Sequence, residues 1–192
     1  MRRFASRVIG IILRPEAEWQ AIAEEREGVA SFAASYVAPL ALIGPIAFVC
    51  GALAAPFGLT PTAAASAVWA GLFTQVLGLA VTAAVIWLIA PLYGVRRDFL
   101  AGFRVVAYAA TPVWLAGIVL AVPLQRFPLL VVIILIALMH GLYLFHLGLH
   151  HVTGIPRRDA AECAGAVAFS SLVLSTLVGY YGSAIGLIPS FT

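Results

Sequence analysis

The chain has 192 residues, of which 63% are hydrophobic and 10% charged, with a formal net charge of +3. Globular domains average about 45–50% apolar and 25% charged residues, so this composition excludes an ordinary soluble fold. The basic residues are too few and too dispersed to track nucleic-acid phosphates, and the length suits one helical bundle rather than two domains.

Residues 3–14 and 15–27 predict two short helices joined at Pro15, a residue suited to the first position of a helix. At 100° per residue, Arg3, Arg7 and Arg14 fall within about 40° of one another. Phe4, Val8, Ile11 and Ile12 cover another side. This is the pattern of an interfacial helix, with its apolar face in the acyl boundary and its arginines on anionic headgroups. Trp19 belongs to the same expected lipid-interface set. In the second helix Trp19 and Ile22 share a face, while Glu16, Glu18, Glu24, Glu25 and Glu27 make it acidic. We read it as a solvated connector to the first span, with a partner-docking surface as the alternative. A signal peptide is not expected: the apolar piece from Val8 to Leu13 is shorter than the usual core of about 7–15 residues, and Arg14-Pro15-Glu16 interrupts it.

Five long apolar stretches follow, at about 29–54, 62–92, 103–124, 127–149 and 160–188. Each supplies the roughly 20 residues a helix needs to cross a bilayer core. Backbone polar groups in lipid must be satisfied internally, so these spans must be helices. The expectation is an all-α polytopic bundle. Residues 1–28 form a cytoplasmic, amphipathic interfacial arm, and residues 29–192 form a five-helix transmembrane domain.

Arginine placement sets the orientation. Ten of the eleven basic residues fall before the first span, in the region of the second-to-third loop (Arg104 at the very start of the third span), or between spans four and five; Arg126 is the exception. The positive-inside tendency puts the N-terminus in the cytoplasm and the C-terminus outside. Trp87 and Tyr93 then sit at the inner interface, and Trp69, Tyr180 and Tyr181 toward the outer one. Cys50 and Cys163 fall near opposite faces, too far apart for a bridge within one chain.

Polar residues inside the spans are sparse. Gln75 lies about halfway along the second span and His140 about halfway along the fourth. Intramembrane polar groups are functional candidates by default. A hydrogen bond between the two, with neutral His140 as structural glue, is the simpler expectation. Pro112 should kink the third span, freeing a carbonyl near Tyr108, and is the hinge candidate. The fourth span ends His146, His150, His151, with Tyr143 beside the first two. A histidine pair four residues apart is compatible with a transition metal. Without further ligands, the simpler role is at headgroups and a helix C-terminus, where a charged imidazole is favoured. Gln75, His140, Tyr143 and His146 together form the candidate polar or ion site.

In the fifth span Ser171, Ser175, Gly179 and Ser183 recur every four residues, a small-residue seam that lets helix backbones approach closely. Ala109, Val113, Gly117 and Ala121 repeat that spacing in the third span, which makes it the candidate neighbour. The chain has no GxSxG elbow, phosphate-binding glycine loop or CxxC, so no enzyme and no cofactor are expected beyond a metal at His146 and His150.

Several stretches resemble the bacterial branch of the Yip family, five-span proteins related to the Ypt/Rab-interacting proteins of secretory membranes. Arg14-Pro15-Glu16-Ala17-Glu18-Trp19, with Ile22 and Glu24, is similar to the family's N-terminal P-x-x-x-W-x-x-I-x-x-E pattern. Tyr36-Val37-Ala38-Pro39-Leu40 resembles the opening of its first helix. Phe103 through Pro112, continuing to Gly117, resembles its Tyr-x-x-Thr-Pro helix, and Leu142 through Leu149 its fourth-helix end. The chain departs from the family in having His150-His151 where a proline-containing turn is common, and His146 where tyrosine is frequent. The resemblance implies an integral membrane protein without enzymatic activity. The long cytosolic region through which eukaryotic relatives bind small GTPases has no counterpart in this sequence.

The expected function is therefore that of a non-enzymatic bacterial inner-membrane protein. It would act through helix packing with lipids, including anionic headgroups, with a membrane-protein partner, or with a second copy. The alternatives are a small transporter or channel for protons, metal ions or a solute, and an accessory subunit of a larger membrane complex. No nucleic-acid partner is expected.

Overall fold

The computed structural model describes residues 2–25, 27–53, 60–121 and 127–184, except the side chains of 2–3, 127–129, 175 and 177–184. Seven helices and no strand occur among the described residues. The arm comprises α1 (Arg2–Leu13) and α2 (Pro15–Glu24). Four helices long and apolar enough to cross a membrane follow: α3 (Val29–Leu53), α4 (Pro61–Tyr93), α5 (Phe99–Ala121) and α6 (Leu130–Thr153). The last, α7 (Ala160–Ala184), has 25 residues. At a 1.5 Å rise per residue that is about 37 Å.

Local chemistry explains the boundaries. Pro15 opens α2, where its missing N–H costs nothing. Thr60 caps α4 by accepting from the Ala63 N–H, with Pro61 at the first helical position. Asp98 caps α5 through its Oδ1, 3.0 Å from the Ala101 nitrogen. Gly94, at φ +75°, supplies the left-handed turn that ends α4.

Two spans are irregular at their prolines. In α3 a π turn occupies Ala33–Val37, just ahead of Pro39, and the helix is interrupted again at Leu42. In α5 the α-helix stops at Ala110, restarts at Thr111, and tightens to a 3-10 turn over Gly117–Ala121. The expected kink at Pro112 is therefore present as a break. Pro112 has no N–H to offer the Tyr108 carbonyl.

Helix α5 is the hub, packed against α3, α4 and α6. A Cβ placed on Gly117 would stand 3.0 Å from the Gly44 Cα, and one on Gly141 would stand 3.0 Å from the Ala109 carbonyl oxygen. The small-residue face of α5 thus serves α3 and α6. This corrects the pairing expected between the third and fifth spans, because α7 packs on α4 and α6. A stripe of small residues permits close approach but does not choose the neighbour; here the facing glycines of α3 and α6 do. Ser171 is buried on α7. The side chains of Ser175, Gly179 and Ser183 lie outside the described residues.

The arm packs on the bundle. Ile11, Trp19 and Ile22 are fully buried and belong to the same core as Tyr36, Val105 and Leu144. A Cβ on Gly148 would fall 2.7 Å from the Trp19 ring, so that glycine of α6 is the slot receiving the indole. Ile12 shares a small cavity with Pro112, Leu115, Ala116 and His140. Pro112 is thirteen residues beyond Phe99, about 20 Å along the α5 axis. Ile12, near the end of α1, thus packs beside the middle of α5. The apolar face expected to meet acyl chains meets protein instead, because burying it in a fitted slot also gains packing contacts.

Candidate functional site

The arm, α3 and α5 enclose a half-open groove of about 1300 Å³. Its polar side carries Arg7 from α1, Glu18 from α2, and Glu25 and Glu27 from the linker to α3. Its apolar side is made by Phe4, Tyr36, Pro39 and Tyr108. Pro39 lies ten residues past Val29, about 15 Å along α3. The groove therefore runs from the cluster of carboxylates to a depth comparable with half a bilayer core of about 30 Å.

Arg7 holds the polar side together. Its guanidinium donates to Glu18 at 2.6 Å and also pairs with Glu25. Burial works against its charge, but Glu25 and the hydrogen-bonded Glu18 outweigh that and hold its pKa above the ordinary value. Arg104 of α5 donates to the Glu25 carbonyl at 2.8 Å and to the Glu27 carbonyl, fastening the linker over the span. Glu16 lies 3.5 Å from Arg157 between exposed side chains. Arg7 and Trp19, expected at the lipid interface, are thus an ion-pair centre and a core anchor. Arg14 is exposed, and the Arg3 side chain lies outside the described residues.

The floor is aromatic. The Tyr36 and Tyr108 rings are 4.5 Å apart by centroid, Phe32 stacks on Tyr36 at 5.6 Å, and Trp19 meets Tyr108 edge-on at 5.9 Å. Such pairs add about 0.5–1.5 kcal/mol each beyond area burial. The Tyr36 hydroxyl is bonded to Thr111 at 2.8 Å. Tyr108 is only 3% exposed and lines the groove, yet its hydroxyl has no hydrogen-bond partner among the described residues.

The expected polar site is not gathered. Gln75 donates to the Ala41 carbonyl at 2.8 Å rather than to His140. The reason lies in α3: Pro45 has no N–H for the Ala41 carbonyl four residues earlier, and in lipid that orphan needs another donor. His140 borders an open apolar depression beside Ile12 and Pro112, and its buried Nε2 has no partner among the described residues. Tyr143, 6.1 Å from the His140 ring by centroid, is 47% exposed. His146 is half-buried on α6. A π turn over Leu149–Thr153 shifts the helix register just after His146. His150 Nδ1 donates to the Ile155 carbonyl at 2.9 Å and His151 Nδ1 to the Leu147 carbonyl at 3.0 Å, so both tie down the helix end. Among the described residues no three His, Cys, Asp or Glu side chains converge as metal ligands. Cys50 is exposed, Cys163 is buried, and both are free thiols. Arg97 lies over the Trp87 ring at 4.8 Å.

Sequence reasoning singled out Tyr36 and Tyr108 only as packing motifs and missed Thr111, Glu18, Glu25 and Arg104 as parts of one site. A signal was available. Tyr36 and Tyr108 each precede a mid-span proline by three or four residues, where the helix is broken and a polar ring can be seated.

The family model of the Yip1 domain matches residues 9–187. No curated protein and no solved structure matches the chain.

Proposed function

This chain belongs to the Yip1 domain family, and from that membership we propose a non-enzymatic role in membrane organisation, exercised through contacts with lipid or protein partners. The observation that carries this reading is the docked arm. It roofs an amphiphilic groove whose floor is aromatic and whose rim is charged. Large apolar side chains such as Trp69, Phe73, Ile136 and Phe169 point outward from the spans, which suits a protein surrounded by lipid. The proposed setting is a bacterial cytoplasmic membrane crossed five times, α7 included, with the arm inside and the C-terminus outside. The arginine distribution supports that orientation.

The test is gentle purification from native membranes, with mass spectrometry of every protein and lipid retained. A stoichiometric partner supports the reading. A clean particle carrying neither protein nor ordered lipid overturns it. Reporter fusions at the two termini test the orientation: activity of an external reporter at the N-terminus would reverse it.

A second reading, passage of a proton or small solute, is favoured by one observation: the buried, unpartnered His140 Nε2 beside the α5 break. Cysteines placed beside His140 and Gln75 should then react with water-soluble maleimides. Dry, unreactive positions dispose of the pathway.

A further inference from the structure

We infer that the groove between the arm and α3 is a headgroup site for an amine-bearing phospholipid of the phosphoethanolamine type. The inference rests on the lipid branch of the proposed function and names its ligand.

Three observations lead there. The first is the gradient of the groove. Carboxylates of Glu18, Glu25 and Glu27 line one end, and Phe4, Tyr36 and Pro39 line the other. Ser35 and Pro39 are exposed on the flank of α3, so the apolar end opens sideways between helices rather than into a closed core. A soluble ligand has no use for such an exit; an acyl chain does.

The second is the charge pattern. Arg7 is the only cation among the described lining residues and is already shared between Glu18 and Glu25. Each carboxylate has about four acceptor positions, so both keep free lone pairs for an ammonium group. A headgroup carrying only negative charge meets those carboxylates unfavourably.

The third is Tyr108. Its ring is buried, it lines the groove, and its hydroxyl makes no hydrogen bond to another described residue. A phosphate or ester oxygen, placed between Tyr108 and the remaining Arg7 donors, would accept from that hydroxyl. A zwitterion therefore matches the groove at both charges: ammonium toward Glu18 and Glu25, phosphate toward Tyr108 and Arg7.

The full-length protein, purified in detergent, is exchanged into nanodiscs of phosphatidylglycerol containing a minor fraction of phosphatidylethanolamine. Native mass spectrometry then reads which lipids stay on the released protein. Wild type should retain phosphatidylethanolamine at least about tenfold above its bulk share, the discrimination one charge-assisted bond provides. Tyr108→Phe should lower that enrichment severalfold, and Glu18→Gln with Glu25→Gln should abolish it. Equal retention of both lipids, or preference for phosphatidylglycerol, overturns the site. Displacement by soluble phosphoethanolamine at concentrations matching the lipid overturns the lipid assignment in favour of a free amine. If a variant fails to fold, the wild-type enrichment and competition still decide. A wild type that keeps a protein partner but shows no headgroup preference sinks this site and leaves the proposed function standing.

Discussion

The hydroxyls of Tyr36 and Thr111 meet at 2.8 Å inside the bundle. Tyr36 sits in the π turn of α3 and Thr111 at the break of α5. The bond therefore ties together the irregular points of two spans, each placed by a proline. Wide helical turns of this kind are frequent at functional sites, and this one forms the floor of the groove.

Thr111→Val would leave the Tyr36 hydroxyl buried without a partner, at a cost of about 1–3 kcal/mol. Tyr36→Phe should cost less, because the Thr111 hydroxyl can turn to a carbonyl of its own helix. The double variant should be less destabilised than the sum of the two. Thermal unfolding in detergent measures all three; strict additivity would show that the bond carries no coupling.

Gly148 is the slot for Trp19. Gly148→Leu should expel the indole and release the arm, a loss comparable with truncating a buried aromatic, about 3–5 kcal/mol. The readouts are faster proteolysis before Val29 and acrylamide quenching of a variant whose sole tryptophan is Trp19. Unchanged protection would mean that the arm is held elsewhere.

Gln75→Leu removes the donor that serves the Ala41 carbonyl. We expect a loss of about 0.6–1.7 kcal/mol, the range for polar contacts between membrane helices. Pro45→Ala restores a backbone N–H for the same carbonyl. In that background Gln75→Leu should cost little, and a full penalty there would refute the orphan-carbonyl explanation.

Arg7→Ala leaves Glu18 and Glu25 close together without their shared cation. These side chains are partly exposed, so solvent screening limits the loss to about 1 kcal/mol. It should appear as a looser arm in hydrogen exchange rather than as global unfolding. The folded-state pKa of Arg7 is raised. Its contribution is therefore complete below the ordinary guanidinium value and lost only as pH rises through the folded one. Raising pH across the neutral range should leave the arm docked; release there would point to a different titrating group.

The prolines show how far the sequence could be read. Pro15 and Pro112 mark a helix start and a break, and the structure has each at its expected place. Gln75 and His140 were equally visible as rare polar residues, yet their partners were not. Periodicity reports that a donor is intramembrane. It does not report that Pro45, on another span, has created the acceptor. The same limit applied to the arm, where an amphipathic pattern describes an apolar face without saying whether lipid or protein covers it.

By itself the sequence determined the all-α class and the apolar runs of the four described spans, because these follow from local properties: run length and apolar content. Only the tertiary structure decided that the arm folds into the bundle, that α5 is the hub, and that Arg7, Glu18, Glu25, Tyr36 and Tyr108 converge on one groove. Those residues come from separate helices, and what joins them is the fit of Trp19 into the Gly148 slot and the meeting of two proline-broken spans. Such matches are made between surfaces distant in the chain, where no local pattern records them.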